Sequence, residues 1–280
     1  MKIRTFIELT RMEHSIMLVL GVFVVILLAD IQPSYDKLLF ALACPLLISA
    51  GAFALNDYFD AESDRLNRKN RPIVRGEITK EDALKIAVLL IVLGTLIAYP
   101  LGVYPFMIAV VFALLSILYD WKLKDVALIG NIIVAASMSI IFIFTSLSFA
   151  ENISSVVIYV AIISFISGLG REIQKTVQDI EGDVAARGSK TLPVFIGKSY
   201  SLHVALLLMI IASALALYLY FEIPPLKGNT LYLVPMLVSV CMFLYSSYLF
   251  YGAQKQKEMG RRISLYALIL GIISYMLGGI

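Results

Sequence analysis

Along the chain, apolar runs of membrane-spanning length alternate with short charged connections. Nine such runs stand out, near 15–31, 37–55, 83–99, 102–119, 126–149, 153–170, 200–221, 230–251 and 263–280. A helix that crosses a bilayer needs about 20 apolar residues, and these runs have that length. Pro100 separates the third and fourth runs, and Pro224 and Pro225 close the seventh, as chain-breaking residues do in tight connections. The pattern predicts an all-α fold, a polytopic membrane bundle of nine transmembrane helices forming one domain over residues 1–280.

Composition agrees with this pattern. Of the 280 residues 60% are hydrophobic and 15% are charged, and the mean hydropathy is +0.89. A soluble domain carries about a quarter charged residues and has no use for so much apolar surface. Lys2, Arg4, Glu8, Arg11 and Glu13 precede the first run, so no cleavable signal peptide is expected and the first span should be retained. The two cysteines, Cys44 and Cys241, lie far apart in apolar stretches, which suggests neither a disulfide framework nor a thiolate metal site. Two histidines, His14 and His203, are too few for a histidine metal cluster.

Charge supplies an orientation. Of the 23 Lys and Arg, 20 fall in the N-terminal arm and in the second, fourth, sixth and eighth connections. Lys37 and Lys227 are on the other side, and Lys85 opens the third helix. Basic residues accumulate on the cytoplasmic side of membrane proteins. The N-terminus and the charged connections are therefore expected in the cytoplasm of a cell-membrane protein, with the C-terminus outside. A missed span would scramble this sorting.

The acidic residues carry a different signal. Eleven of the 20 fall in two cytoplasmic connections, about 56–82 and 171–199. If the second helix continues past Leu55, Asn56, Asp60 and Asp64 follow at i, i+4 and i+8 and share one face. In the later segment Arg171, Lys175, Asp179 and Asp183 keep the same four-residue step. Like charges one turn apart repel, so a cation should resolve each D-x-x-x-D pair. Carboxylates and an amide suit a hard divalent ion, and Mg²⁺ combines one or two carboxylates with water and phosphate oxygens. Arg65, Arg68, Lys69 and Arg71 flank the first segment, and Arg187 and Lys190 follow the second, ready for phosphate. Together they describe a metal–diphosphate site. Four spans separate the two segments, so both helices run in the same direction. Two pseudo-repeated four-helix units around a central cavity would let the paired motifs face each other.

At these residues the sequence resembles the UbiA superfamily of intramembrane prenyltransferases. Asn56 to Asp64 is similar to that family's N-D-x-x-D-x-x-x-D motif, and Asp179 with Asp183 to its second D-x-x-x-D. Asn70 to Gly76 is similar to the R-P-x-x-x-G loop. Tyr119 to Lys124, followed by Gly130 and Asn131, is similar to the Y-S-x-x-L-K…G-N stretch, with Asp120 in place of Ser. Lys190-Thr191-Leu192-Pro193 extends the likeness, which covers nearly the whole chain. The resemblance implies nine helices, a polyprenyl diphosphate donor, a membrane-associated acceptor and two Mg²⁺ ions. By this likeness Asn56, Asp60 and Asp64 would hold one ion, and Asp179 and Asp183 the other. Asp60, Asp64, Asp179 and Asp183 would thereby be the catalytic carboxylates. Arg71, Lys124, Arg171 and Lys175 would meet phosphate oxygens, and Tyr58 and Tyr119 could offer π faces to a cation-like allylic carbon.

The second segment is most similar to archaeal members that transfer geranylgeranyl from geranylgeranyl diphosphate to geranylgeranylglyceryl phosphate. That acceptor needs a cation for its own phosphate, and Arg11 at the entry of the first helix is the candidate. Two departures keep an aromatic acceptor of quinone biosynthesis open. Arg11-Met12-Glu13-His14 stands where R-P-x-N is expected, and position 176 is Thr rather than Asp. A transporter is the remote alternative, but transporter sites lie near the midplane on broken helices, whereas these carboxylates lie at helix ends. A membrane alcohol phosphotransferase would need a D-G-x-x-A-R element, which is absent. Besides substrates the expected partner is the lipid bilayer, with no nucleic acid and no obligatory protein partner.

Overall fold

The computed structural model describes residues 2–66 and 69–280, with the backbone alone at residues 13, 14, 66, 182, 183, 186 and 187. An amphipathic helix α1 (Ile3–Thr10) precedes α2 (Met12–Leu28), α3 (Tyr35–Leu66), α4 (Lys80–Ile97), α5 (Val103–Trp121) and α6 (Ile129–Phe149). Then follow α7 (Ser155–Arg187), a short α8 (Leu192–Ile196), α9 (Lys198–Glu222), α10 (Thr230–Leu249) and α11 (Gln254–Gly278). Among the described residues eight helices are long and apolar enough to cross a membrane. A ninth span follows if α2 is counted with α1, from which it bends by 63°. The protein is a multi-pass helical membrane bundle, and each expected apolar run falls on one of α2–α7 and α9–α11.

One difference from the sequence reading matters for the site. The acidic stretches expected as connections are helical through most of their length. α3 has 32 residues and α7 has 33, each longer than a span requires. No Gly or Pro interrupts α3 between Asn56 and Leu66, and cationic partners offset the stacked like charges. Gly188, at φ +63°, ends α7 in a conformation that favours glycine. Thr79 caps α4 by accepting from the Asp82 backbone N–H at 3.1 Å.

Packing follows membrane rules, with small residues inward and large apolar ones toward lipid. α4 buries Ala83, Ala87, Ile91 and Gly94 against α3 while Leu89, Val92 and Leu96 stay exposed. A Cβ on Gly51 would lie 2.8 Å from the Ala87 carbonyl oxygen, and one on Gly94 would lie 2.9 Å from the Ile48 backbone nitrogen. The α3–α4 hairpin therefore closes to backbone contact. α7 with α9 forms the corresponding hairpin of the second unit, where a Cβ on Gly170 would lie 3.1 Å from the Ala205 carbonyl oxygen. An apolar cavity opens between α6, α7, α9, α10 and α11. Its far end is closed by Tyr275, which stacks on Tyr232 at 5.6 Å between ring centroids.

Candidate active site

The extended end of α3 presents Asn56, Asp60 and Asp64 one turn apart, as their spacing predicts. The Asn56 amide is the hub of the first cluster. Its Nδ2 donates to Asp120 Oδ1 at 2.6 Å and to Asp60 Oδ2 at 3.2 Å, and its Oδ1 accepts from Arg11 at 3.3 Å. Lys124 Nζ donates to Asp60 Oδ1 at 2.6 Å and lies 3.7 Å from Asp120 Oδ1. Asp120 on the last turn of α5 and Lys124 in the 3-10 turn that follows it thus clamp the first motif from the side.

Arg11 occupies the bend between α1 and α2 in the left-handed region, at φ 44°. Such a backbone is strained for a residue with a side chain and persists where surrounding contacts hold it. Here Nη2 donates to Asp57 Oδ1 at 2.6 Å, and the guanidinium lies 4.9 Å from the centre of the Phe53 ring. Asp57 is wholly buried, so the ion pair fixes the arm against α3.

Asp64 is also buried, with Lys69 Nζ 3.0 Å from Oδ1 and Arg71 Nε 3.9 Å from Oδ2. Beyond it Arg75 knits the loop to α1. It donates to both carboxylate oxygens of Glu77, at 2.8 and 3.0 Å, to the Asn70 side chain at 3.0 Å, and to Glu8. Thr5 Oγ1 donates to Glu77 Oε2 at 3.0 Å. The hydrogen bonds from Arg75, and then that from Thr5, hold the Glu77 carboxyl down to about 2.

The second motif has a different setting. Lys175 Nζ donates to both oxygens of Glu172, at 2.7 and 2.8 Å, and Arg171 reaches Glu172 Oε1 at 3.5 Å. Arg171 Nε donates to Ser264 Oγ on α11 at 3.2 Å. Asp179 faces Arg261 of α11 at 3.9 Å. The Asp183 side chain lies outside the described residues. Thr176 accepts from Asn131 Nδ2 at 2.8 Å and donates to the Glu172 carbonyl at 2.8 Å, tying α7 to α6.

The sequence-predicted residues therefore divide. Asn56, Asp60 and Lys124 come together, joined by Arg11 through Asn56. Asp64 and Arg71 lie beside each other further out. Arg171 and Lys175 meet at Glu172. Tyr58 turns its ring away from this face, packing with the core around Leu55 and Ala61 and receiving Lys80 at 4.9 Å. Tyr119 is half-buried next to Asp120. Sequence reasoning passed over Asp57, Asp120 and Arg261. The N-D-x-x-D pattern is a signal for the first and the four-residue step from Asp120 to Lys124 a signal for the second, whereas nothing local marks the third.

The donor set fits a hard divalent cation. All candidate ligands are carboxylate or amide oxygens, and Asp57 Oδ2 beside them is buried without a hydrogen-bond partner. As the side chains stand, no three described His, Cys, Asp or Glu residues converge on one metal position. Lys124, Lys69 and Arg261 lie against the carboxylates, so an incoming ion would have to displace ammonium or guanidinium groups.

Residues 17–272 match the UbiA prenyltransferase family. The chain belongs to that family. It is a membrane prenyltransferase. Among curated relatives it is 31% identical to digeranylgeranylglyceryl phosphate synthase of Archaeoglobus fulgidus, over 97% of this chain and 94% of that protein. It is 34% identical to the synthase of the same name from Pyrococcus abyssi, over 100% and 99%. A solved structure described as digeranylgeranylglyceryl phosphate synthase superposes with a TM-score of 0.78 at 26% identity, covering 99% of this chain and 98% of that one. A UbiA homologue from Archaeoglobus fulgidus bound to DMAPP and Mg²⁺ shares the fold, with a TM-score of 0.69 at 20% identity and coverage of 98% and 97%.

Proposed function

We propose that this UbiA-family enzyme transfers geranylgeranyl from geranylgeranyl diphosphate to the free hydroxyl of geranylgeranylglyceryl phosphate, making digeranylgeranylglyceryl phosphate at the cytoplasmic side of the cell membrane. The observation that carries this reading is end-to-end similarity to archaeal relatives named for that product, at 31% and 34% identity. An apolar cavity lined by Ser167 and Ala267, one turn from the polar cluster of Arg171 and Ser264, supports it, because both substrates join an anionic head to a long prenyl tail.

Two divalent ions, held by Asn56, Asp60 and Asp64 and by Asp179 and Asp183, would neutralise charge on the departing diphosphate. The chain itself does the rest. Lys124 and Arg71 receive diphosphate oxygens, with Lys175 on the opposite wall. The bond from C1 of the geranylgeranyl group to the diphosphate oxygen breaks with its electron pair going to diphosphate. The acceptor hydroxyl oxygen bonds to C1, and its proton passes to the departing diphosphate. The apolar walls keep out water that would otherwise capture the allylic cation.

The test offers purified protein labelled geranylgeranyl diphosphate with geranylgeranylglyceryl phosphate, 4-hydroxybenzoate or a dihydroxynaphthoate in parallel, with and without a chelator. We expect product from the phosphoglyceride alone, lost on chelation and restored by Mg²⁺. Product from an aromatic acceptor alone would replace this reading with quinone biosynthesis, to which the Arg11–His14 pattern is also similar.

A further inference from the structure

The cavity between α6, α7, α9, α10 and α11 is walled by such apolar residues as Met138, Phe142, Met209 and Phe243. Its polar end is marked by Ser167 on α7 and Ala267 on α11. One helical turn beyond them are Arg171 and Ser264. Ser264 accepts from Arg171 Nε at 3.2 Å and donates to the Arg261 carbonyl at 2.9 Å, which joins Arg171 to the turn that carries Arg261.

The acids here do not balance the bases. Glu172 serves both Arg171 and Lys175, and Asp179 stands 3.9 Å from Arg261, beyond hydrogen-bond reach. Among the described residues of this cluster three cations face two carboxylates, and Asp179 is itself a proposed metal ligand. Arg171 is buried, and a buried cation without matching charge is costly. Arg11 is the contrasting case, since its Nη2 is already spent on the buried carboxylate of Asp57.

We infer that Arg171 and Arg261 form the site for the acceptor's phosphate monoester, and that the apolar cavity beyond them takes the acceptor's prenyl chain. This rests on the phosphoglyceride reading of the acceptor. A phosphate monoester carries about −1.5 to −2 charges near neutral pH, and guanidinium groups match its oxygens in bidentate fashion. Arg11 then acts by holding the α1–α2 bend to α3.

The test measures equilibrium binding to the full-length protein in detergent, without Mg²⁺, of geranylgeranylglyceryl phosphate, of geranylgeranylglycerol and of inorganic phosphate as competitor. The wild type should prefer the phosphorylated lipid, with inorganic phosphate competing only weakly because it lacks the chain. R261Q should weaken binding of the phosphorylated lipid about tenfold, as for loss of one charge-assisted contact, and leave the unphosphorylated lipid unaffected. In turnover it should raise KM for the acceptor without raising KM for geranylgeranyl diphosphate, and R261K should recover part of the loss. Arg261 is half-exposed at the start of α11, so the substitution should be tolerated in the fold. Unchanged binding of the phosphorylated lipid by R261Q would overturn the site while leaving the acceptor reading standing, as would an equal rise in KM for the diphosphate. A wild-type protein that prefers neither lipid would overturn the acceptor reading and this site with it.

Discussion

The two D-x-x-x-D helices carry similar sequences in different electrostatic settings. Around α3 each described acid has a cationic neighbour, Arg11 at Asp57, Lys124 at Asp60, and Lys69 with Arg71 at Asp64. Among the described residues of the cluster around Glu172 and Asp179 the bases outnumber the acids, with Arg171 and Lys175 sharing Glu172 while Arg261 stands off Asp179. Repetition of a motif therefore does not make the halves equivalent. The neighbouring helices decide whether a stripe of carboxylates is matched in charge or left with surplus cation. A matched stripe can exchange its ammonium partners for metal, and a surplus can hold a substrate anion.

The sharpest way to break this comparison is Asp60→Ala, which removes a carboxylate from the matched side. Prenyl transfer should fall by about a thousandfold or more, as when transition-state charge loses a preorganised partner. Insertion into the membrane should persist, and Mn²⁺ binding followed by EPR should weaken. Retained activity with unchanged metal binding would refute the assignment.

Asp57→Ala tests the structural part of the same side. It leaves Arg11 partly buried without its counterion, and removing one partner of a buried pair costs about 3–5 kcal/mol. A lowered melting temperature in detergent checks this, and an unchanged one would mean that the arm is not held there.

Asp120→Asn is subtler. The Asn56 amide keeps an acceptor, but Lys124 loses its second carboxylate. We expect kcat about tenfold lower and a shifted Mg²⁺ requirement, with donor KM changed less, the scale of one charge-assisted interaction. Equal activity across an Mg²⁺ titration would make Asp120 a packing residue only.

The smallest effect concerns Glu77. Its carboxyl is held down to about 2, so its contribution is complete above the ordinary carboxylate range and is lost only as pH falls through about 2. Hydrogen exchange of α1 should be flat in this respect between about pH 5 and 8, where the carboxylate is ionised in folded and unfolded chains alike. Glu77→Gln should raise that exchange throughout the interval. Slower or unchanged exchange in the variant would remove the loop from the list of α1 anchors.

Much of this was legible before any coordinates. The helices α2–α7 and α9–α11 follow from runs of apolar residues, because a bilayer imposes a length and a polarity that each segment must satisfy alone. The stripe of Asn56, Asp60 and Asp64 follows from the helical repeat, and so does the stripe from Arg171 to Asp179. Both are local properties, set within a few turns of chain. The partners of those stripes are not local. Arg11 and Asp57 are 46 positions apart, Asn56 and Asp120 are 64 apart, and Arg171 and Ser264 are 93 apart. Which of them meet depends on how closely Gly51, Gly94 and Gly170 let neighbouring helices approach, and on where α1 bends. Read as sequence, Arg261 is one more cytoplasmic positive charge. Packed against α7 it faces Asp179 at 3.9 Å, because helix crossing and rotation choose neighbours that no periodicity within a single helix encodes.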